Sequence, residues 1–252
     1  MKTSTSQNKI FIAVAAVFWL AVWQGAAMLI GEQLFLPTPL SVLARLFTLL
    51  GDAQFFRTLG FSMSRIMLGF AIGAALGSVM AVAAYKIRFL RTLFLPLVGA
   101  MKAAPVASFA VIALFMVGSK NLAILVTAIM VLPIFYTNLQ AGMFAVPRER
   151  FEAAAVFGML RRDRFRFIYL PFVGPFAQSA CELGLGIAWK SGVAAEVIGI
   201  AAGSIGGKIY DAKVTLDTEE LFAYTLVVVI VSIIFERLCL AILKQIGKAL
   251  TK

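Results

Sequence analysis

Apolar positions in this chain neither alternate nor recur at the three-and-four spacing of a half-buried helix; they come in long runs parted by short polar stretches. Six runs, residues 10–30, 59–84, 93–117, 122–143, 172–192 and 221–243, reach the roughly 20 residues a helix needs to cross a hydrocarbon layer. Segments in lipid must satisfy their own backbone groups, so the runs predict helices, and the fold class is an all-α integral membrane protein with six transmembrane helices. The first run is longer than the core of a secretion signal and is followed by further spans, which predicts an uncleaved first helix. Between runs, residues 31–58 hold the tripeptide Pro37, Thr38, Pro39, GSKN at 118–121 is a tight link, and residues 200–220 carry Asp211, Asp217, Glu219 and Glu220.

Composition agrees with this pattern. Of 252 residues 62% are hydrophobic and 14% charged, leaving too little polar surface to cover a soluble body. The net charge of +11 would make nucleic acid a partner to consider in a soluble chain, but here it sorts by side. With the N-terminus inside and sides alternating, Lys2, Lys9, Lys86, Arg88, Arg91, Arg148, Arg150, Arg161, Arg162, Arg164, Arg166, Arg237, Lys244, Lys248 and Lys252 fall in the cytoplasm. Arg45, Arg57, Arg65, Lys120, Lys208 and Lys213 fall outside or at the outer edge. This bias predicts a multi-pass protein of the cell membrane with both termini cytoplasmic, and it explains the charge without nucleic acid. Cys181 and Cys239 sit in apolar surroundings, which predicts buried thiols rather than a disulfide.

Two runs carry small residues every fourth position: Gly69, Gly73, Gly77 and Ala81 in the second, Ala180, Gly184, Ala188 and Gly192 in the fifth. That spacing keeps them on one helix face, where another backbone can approach. Pro105 and Pro133 each remove a donor from the third and fourth runs and can kink them. Lys102 lies nine residues into the third run and Glu182 ten into the fifth, so both stand about 14 Å from the cytoplasmic ends. Equal depth makes them partners in a buried ion pair or separate liners of a translocation path; Lys190 lies nearer the outer end. No residue set marks catalysis. GxGxxG and GxxxxGK[ST] are absent, histidine is absent, and no zinc or haem ligand set exists, so neither metal nor cofactor is expected in this chain. GSIGGK at 203–208 has the wrong spacing for a phosphate loop and reads as a flexible outer turn.

The polar stretch between the fourth and fifth runs is of another kind. Pro147 can open a helix, Glu149, Glu152 and the following alanines favour one, and Gly158 interrupts it. Residues 161–169 offer a second short piece before Pro171. Spacing and charge alone leave two readings, a segment inserted into another protein or a basic loop that fixes topology on anionic lipid. EAAAVFGMLRRDRFRFIYLP, residues 152–171, resembles the signature loop of the membrane subunits of binding-protein-dependent ABC importers. Glu152, Ala153, Ala154, Gly158, Leu170 and Pro171 match its positions, and Met159 replaces the alanine that often follows the glycine. Residues 94–118 and 183–199 resemble the branch serving sulfonates, taurine and nitrate.

This resemblance implies a cytoplasmic coupling helix between spans four and five, with Arg161 beside it. It implies a second permease copy, two cytoplasmic ABC ATPase subunits that bind ATP and Mg, and an extracytoplasmic solute-binding protein. The chain would then comprise a cytoplasmic tail at 1–9 and a single permease domain at 10–252 that includes the coupling loop 147–171. It would be a transport subunit rather than an enzyme, passing a small solute by ATPase-driven alternating access. Small sulfonates, taurine or nitrate lead as cargo, with a thiamine-precursor pyrimidine or other small heterocycle next. A non-transporting scaffold or sensor is the remaining class.

Overall fold

The computed structural model describes residues 5–251, with side chains described at 10–242 and 245. Lys2 and Lys252 therefore lie outside the described residues, as do the side chains of Lys9, Lys244 and Lys248. No strand occurs among the described residues. The chain is an all-α, multi-pass membrane protein. Four helices are long and apolar enough to cross a membrane: Ile10–Ile30 within α1 (Thr5–Ile30), α3 (Ala53–Lys86), α5 (Val106–Phe144), and Thr218–Ile242 within α10 (Thr218–Thr251). Shorter or more polar elements fill the gaps: α2 (Pro39–Leu50), α4 (Arg88–Ala103), α6 (Arg148–Val156), α7 (Arg161–Arg164), α8 (Leu170–Ile198) and α9 (Ile205–Thr215).

α5 is two arms. Gly118 breaks the helix with φ 70 and ψ 168, a conformation that glycine adopts without a Cβ penalty. Ala110 and Ala113 before it share a buried cluster with Leu122, Ala123 and Val126 after it. In a straight helix residues 110 and 126 would stand about 24 Å apart, so the chain folds back at Gly118. The two expected kink prolines behave differently. Ala104 and Pro105 are extended (ψ 125 at both) and part α4 from α5, whereas α5 runs through buried Pro133 without a break.

The small-residue stripes pack within the subunit. A Cβ on Gly69 would lie 2.6 Å from Ile124 O, and one on Gly73 2.5 Å from Ala128 O; Gly77 meets Leu132 O in the same way. Three glycines one turn apart thus lie against three carbonyls one turn apart, which sets the register of α3 on the second arm of α5. Gly184 and Gly192 of α8 face Phe135 and Thr127 of α5, with Phe70 and Ile66 of α3. Trp189 is buried there against Phe235 of α10. α1 stays at the periphery: Phe11, Ile12, Val17 and Trp19 are largely exposed, as suits a lipid-facing helix. Trp23 ties its end down by donating Nε1–H to Pro37 O at 3.0 Å.

The bundle has two unlike ends. One carries α2, α9 and the Gly118 break, and is laced by Arg45 of α2, which pairs with Asp217 (3.3 Å) and with Glu220 at the start of α10. The other carries α6 and α7 beside the ends of α3 and α5, where Tyr85 packs on Phe144 and Tyr169. Residues 31–58 and 200–220, expected as outward loops, each hold a helix. Thr38 and Ser204 supply the N-caps of α2 and α9, accepting from Ser41 and Gly207 N–H.

Candidate functional site

α6 stands off the bundle at the end rich in arginine. Pro147 is extended and precedes the first turn, Glu149 sits in that turn, and the helix stops after Val156. Gly158 adopts φ 60; its N–H donates to Ala155 O at 3.2 Å and the Met159 N–H donates to Ala154 O at 2.9 Å. These two bonds close a Schellman turn, whose left-handed position favours glycine. Ala154 is turned inward onto Val146 and Ile168, so it fastens α6 to the body. Glu152 and Ala153 face outward. Beside them Val156 is 83% exposed, Phe157 84% and Leu160 71%. An exposed apolar patch on a short polar segment marks an interaction surface. Val156, Phe157 and Leu160 match no motif position; their mark in the sequence is two bulky apolar residues placed directly before the turn glycine of a basic stretch.

The second piece of this loop is not separate from the fifth apolar run. α7 passes through one π-helical turn at Phe165–Tyr169 into α8, and the Leu170 N–H donates to Phe165 O. Leu170 and Pro171 therefore follow the π-helical turn directly at the head of α8, and the proline, which has no N–H to give to the preceding turn, sits where the regular helical bonding is already interrupted. Arg161 is exposed at the head of α7, and Arg164 Nε–H donates to Met159 O at 3.1 Å, tying the two pieces together.

Lys102, Glu182 and Lys190 do not come together. All three are exposed on the subunit, and among the described residues the only ion pairs are those of Arg45. Lys102 is the last residue but one of α4, just before the break at Ala104 and Pro105. Glu182 and Lys190 lie on one exposed stripe of α8 with Ser179, Leu183 and Ile187. Within a subunit the buried pair is therefore not formed.

At the opposite end lies a polar junction that the sequence did not disclose. Glu196 is fully buried, and its Oε2 accepts from Ser62 Oγ–H (2.7 Å) and the Gly206 N–H (3.2 Å). Ser62 Oγ in turn accepts the Ile205 N–H at 2.8 Å, and Ser204 Oγ accepts that of Gly207 at 2.9 Å. The three free donors of the first turn of α9 are thus held by α3, α8 and its own cap. GSIGGK is accordingly no flexible turn: it opens a helix in which Gly206 and Gly207 are buried. Among the described residues no cluster of metal-binding side chains occurs, and both cysteines are free.

Residues 73–251 match the family described as binding-protein-dependent transport system inner membrane component. The taurine transport system permease protein TauC of Escherichia coli (strain K12) is 27% identical over 237 residues, covering 91% of this chain and 86% of that protein. The nitrate import permease protein NrtB of Synechocystis sp. is 26% identical over 238 residues, covering 89% and 84%. The crystal structure of an amino acid ABC transporter with histidines superposes with a TM-score of 0.53 at 14% identity, over 76% of this chain and 94% of that one, a likeness of fold. The chain belongs to this inner-membrane component family: it is a permease subunit of an ABC importer, and ATP hydrolysis occurs in a separate ATPase partner.

Proposed function

We propose that this permease crosses the membrane six times with both termini inside, and works as a homodimer on two ATPases and an outer binding protein. The crossings would be α1, α3, α4 with the first arm of α5, the second arm of α5, α8 and α10. The fold-back at Gly118 and the break at Pro105 support this count. Orientation follows the charge: the α6 end gathers Lys86, Arg88, Arg91, Arg148, Arg150, Arg161, Arg162, Arg164 and Arg166, while acidic residues balance the other end.

The observation that carries the reading is the outward face of α6, with Glu152, Ala153, Val156 and Phe157 on a helix that Ala154 and Gly158 fix in place. This is the coupling helix in the proposal; ATP and Mg belong to the ATPase that receives it. The exposed stripe of α8 supports a second copy, because Glu182 and Lys190 on a spanning helix need water or a partner rather than lipid. Lys102, Glu182 and Lys190 then line the path between the two copies as separate groups. The relatives named for taurine and nitrate point to a small oxyanion as cargo, and the two lysines suit one in transit.

The test is uptake into vesicles holding the permease, its ATPase and its binding protein. ATP-dependent accumulation of taurine, another small sulfonate or nitrate is the expected result. ATP-driven uptake confined to a neutral heterocycle would overturn the cargo, and a chain that recruits no ATPase and moves no solute would be a scaffold.

A further inference from the structure

A cavity of about 540 Å³ opens at the α6 end of the bundle, between the last turn of α3, α7 with its π-helical turn, and the first turns of α8. Its construction changes with depth. Lys86 and Arg161, both exposed, stand at the rim, with the half-buried rings of Tyr85 and Tyr169 beside them. Beneath them the walls are Val82, Met143, Val173 and Ala177. Lys86 and Arg161 have no carboxylate partner among the described residues. Phe165, 58% exposed, leaves the mouth greasy on one side.

We propose that this cavity is a binding site for one anionic phospholipid, with the phosphate between Lys86 and Arg161 and an acyl chain against the apolar wall. Depth selects this occupant over a soluble protein. Val82 lies one turn inside the end of α3, and Ala177 lies seven residues along α8 from Leu170, about 10 Å into the span. A cytoplasmic partner can meet the rim, but only a lipid tail can follow the wall into hydrocarbon. Charge selects the headgroup: two cations at a membrane boundary favour an anionic lipid, and tyrosines at the same level suit the interface. A volume of this size is that of a small-molecule pocket, enough for a headgroup and the upper part of one chain. The π-helical turn contributes Phe165 and Tyr169 to the wall, so the irregular backbone between the arginine-rich loop and α8 shapes the cavity. The inference rests on α3 and α8 lying in a bilayer, as proposed above, and not on the cargo.

Native mass spectrometry of the purified protein, loaded with equal amounts of phosphatidylglycerol and phosphatidylcholine of the same chains, tests the site. Wild type should retain one phosphatidylglycerol per subunit in preference to phosphatidylcholine, and glycerol 3-phosphate in excess should not displace it. Lys86→Gln should lower that preference about five-fold, the effect of one basic residue at a membrane surface. Gly174→Leu should remove both lipids, because Gly174 lines the cavity and a Cβ there meets nothing within 4 Å. Should that variant fail to fold, Lys86→Gln, a surface change, decides alone. Equal retention of the two lipids by wild type would overturn the proposal. So would an unchanged preference in Lys86→Gln, displacement by glycerol 3-phosphate, or no retained lipid because a second copy or the ATPase fills the groove.

Discussion

Glu196 shows how one buried side chain holds an element in place. Its Oε2 accepts two bonds, and the Ser62 hydroxyl it orients accepts a third donor from α9. Truncation to alanine would leave the Gly206 N–H without a partner in a site closed to water, a loss of about 1–3 kcal/mol. Glutamine keeps an oxygen that can accept both bonds. Thermal unfolding in detergent should therefore show Glu196→Ala clearly below Glu196→Gln, with the glutamine variant near wild type. Equal midpoints for the two variants would mean that the junction contributes shape alone. Gly158 illustrates the complementary case, where the backbone sets the residue: φ 60 in open space demands conformational freedom rather than smallness.

At the scale of elements, the seam between α3 and α5 carries the bundle. Gly73→Ala would put a Cβ 2.5 Å from the Ala128 carbonyl and 3.0 Å from Val131 Cβ, both on a helix that can yield only by moving away. Overpacking of this kind destabilises by about 1–3 kcal/mol, whereas Gly60→Ala in the same helix meets nothing. Folded yield should fall for Gly73→Ala and hold for Gly60→Ala; loss in both would attribute the effect to helix sequence rather than to the seam. The four-residue glycine spacing announced this contact because helix periodicity is local. The long runs likewise marked α1, α3 and α10, and Pro147 with Gly158 marked the ends of α6. Two things were not local. α2 and α9 are too short to read as spans, and the donors of α9 are met by Ser62 and Glu196, 143 and 10 residues away at Ile205 and Gly206. Lys102 and Glu182 do not pair within the subunit for the same reason: equal depth fixes height along a helix, and both residues are exposed on the subunit.

For the whole molecule, the central claim is that the end bearing α6 receives the force of ATP hydrolysis and passes it through a rigid bundle to the opposite end. Ala154 anchors α6 to Val146 at the end of α5 and to Ile168 in the π-helical turn, and α7 runs on into α8, so a push on α6 reaches α5 and α8, which pack on each other and on α3. Ala154 and Gly158 fix the position of the helix, while Phe157, 84% exposed, presents a large apolar surface to a partner. Changing Phe157 removes contact without touching the fold, which separates docking from stability. The measurement is solute-stimulated ATP hydrolysis by the complex reconstituted with its ATPase and binding protein, comparing wild type with Phe157→Asp in equally inserted permease. A charge placed at the centre of a docking patch should reduce the stimulated rate on the order of ten-fold or more, leaving the permease folded and the unstimulated rate of free ATPase unaltered. Wild-type stimulation in a well-inserted Phe157→Asp permease would contradict the account.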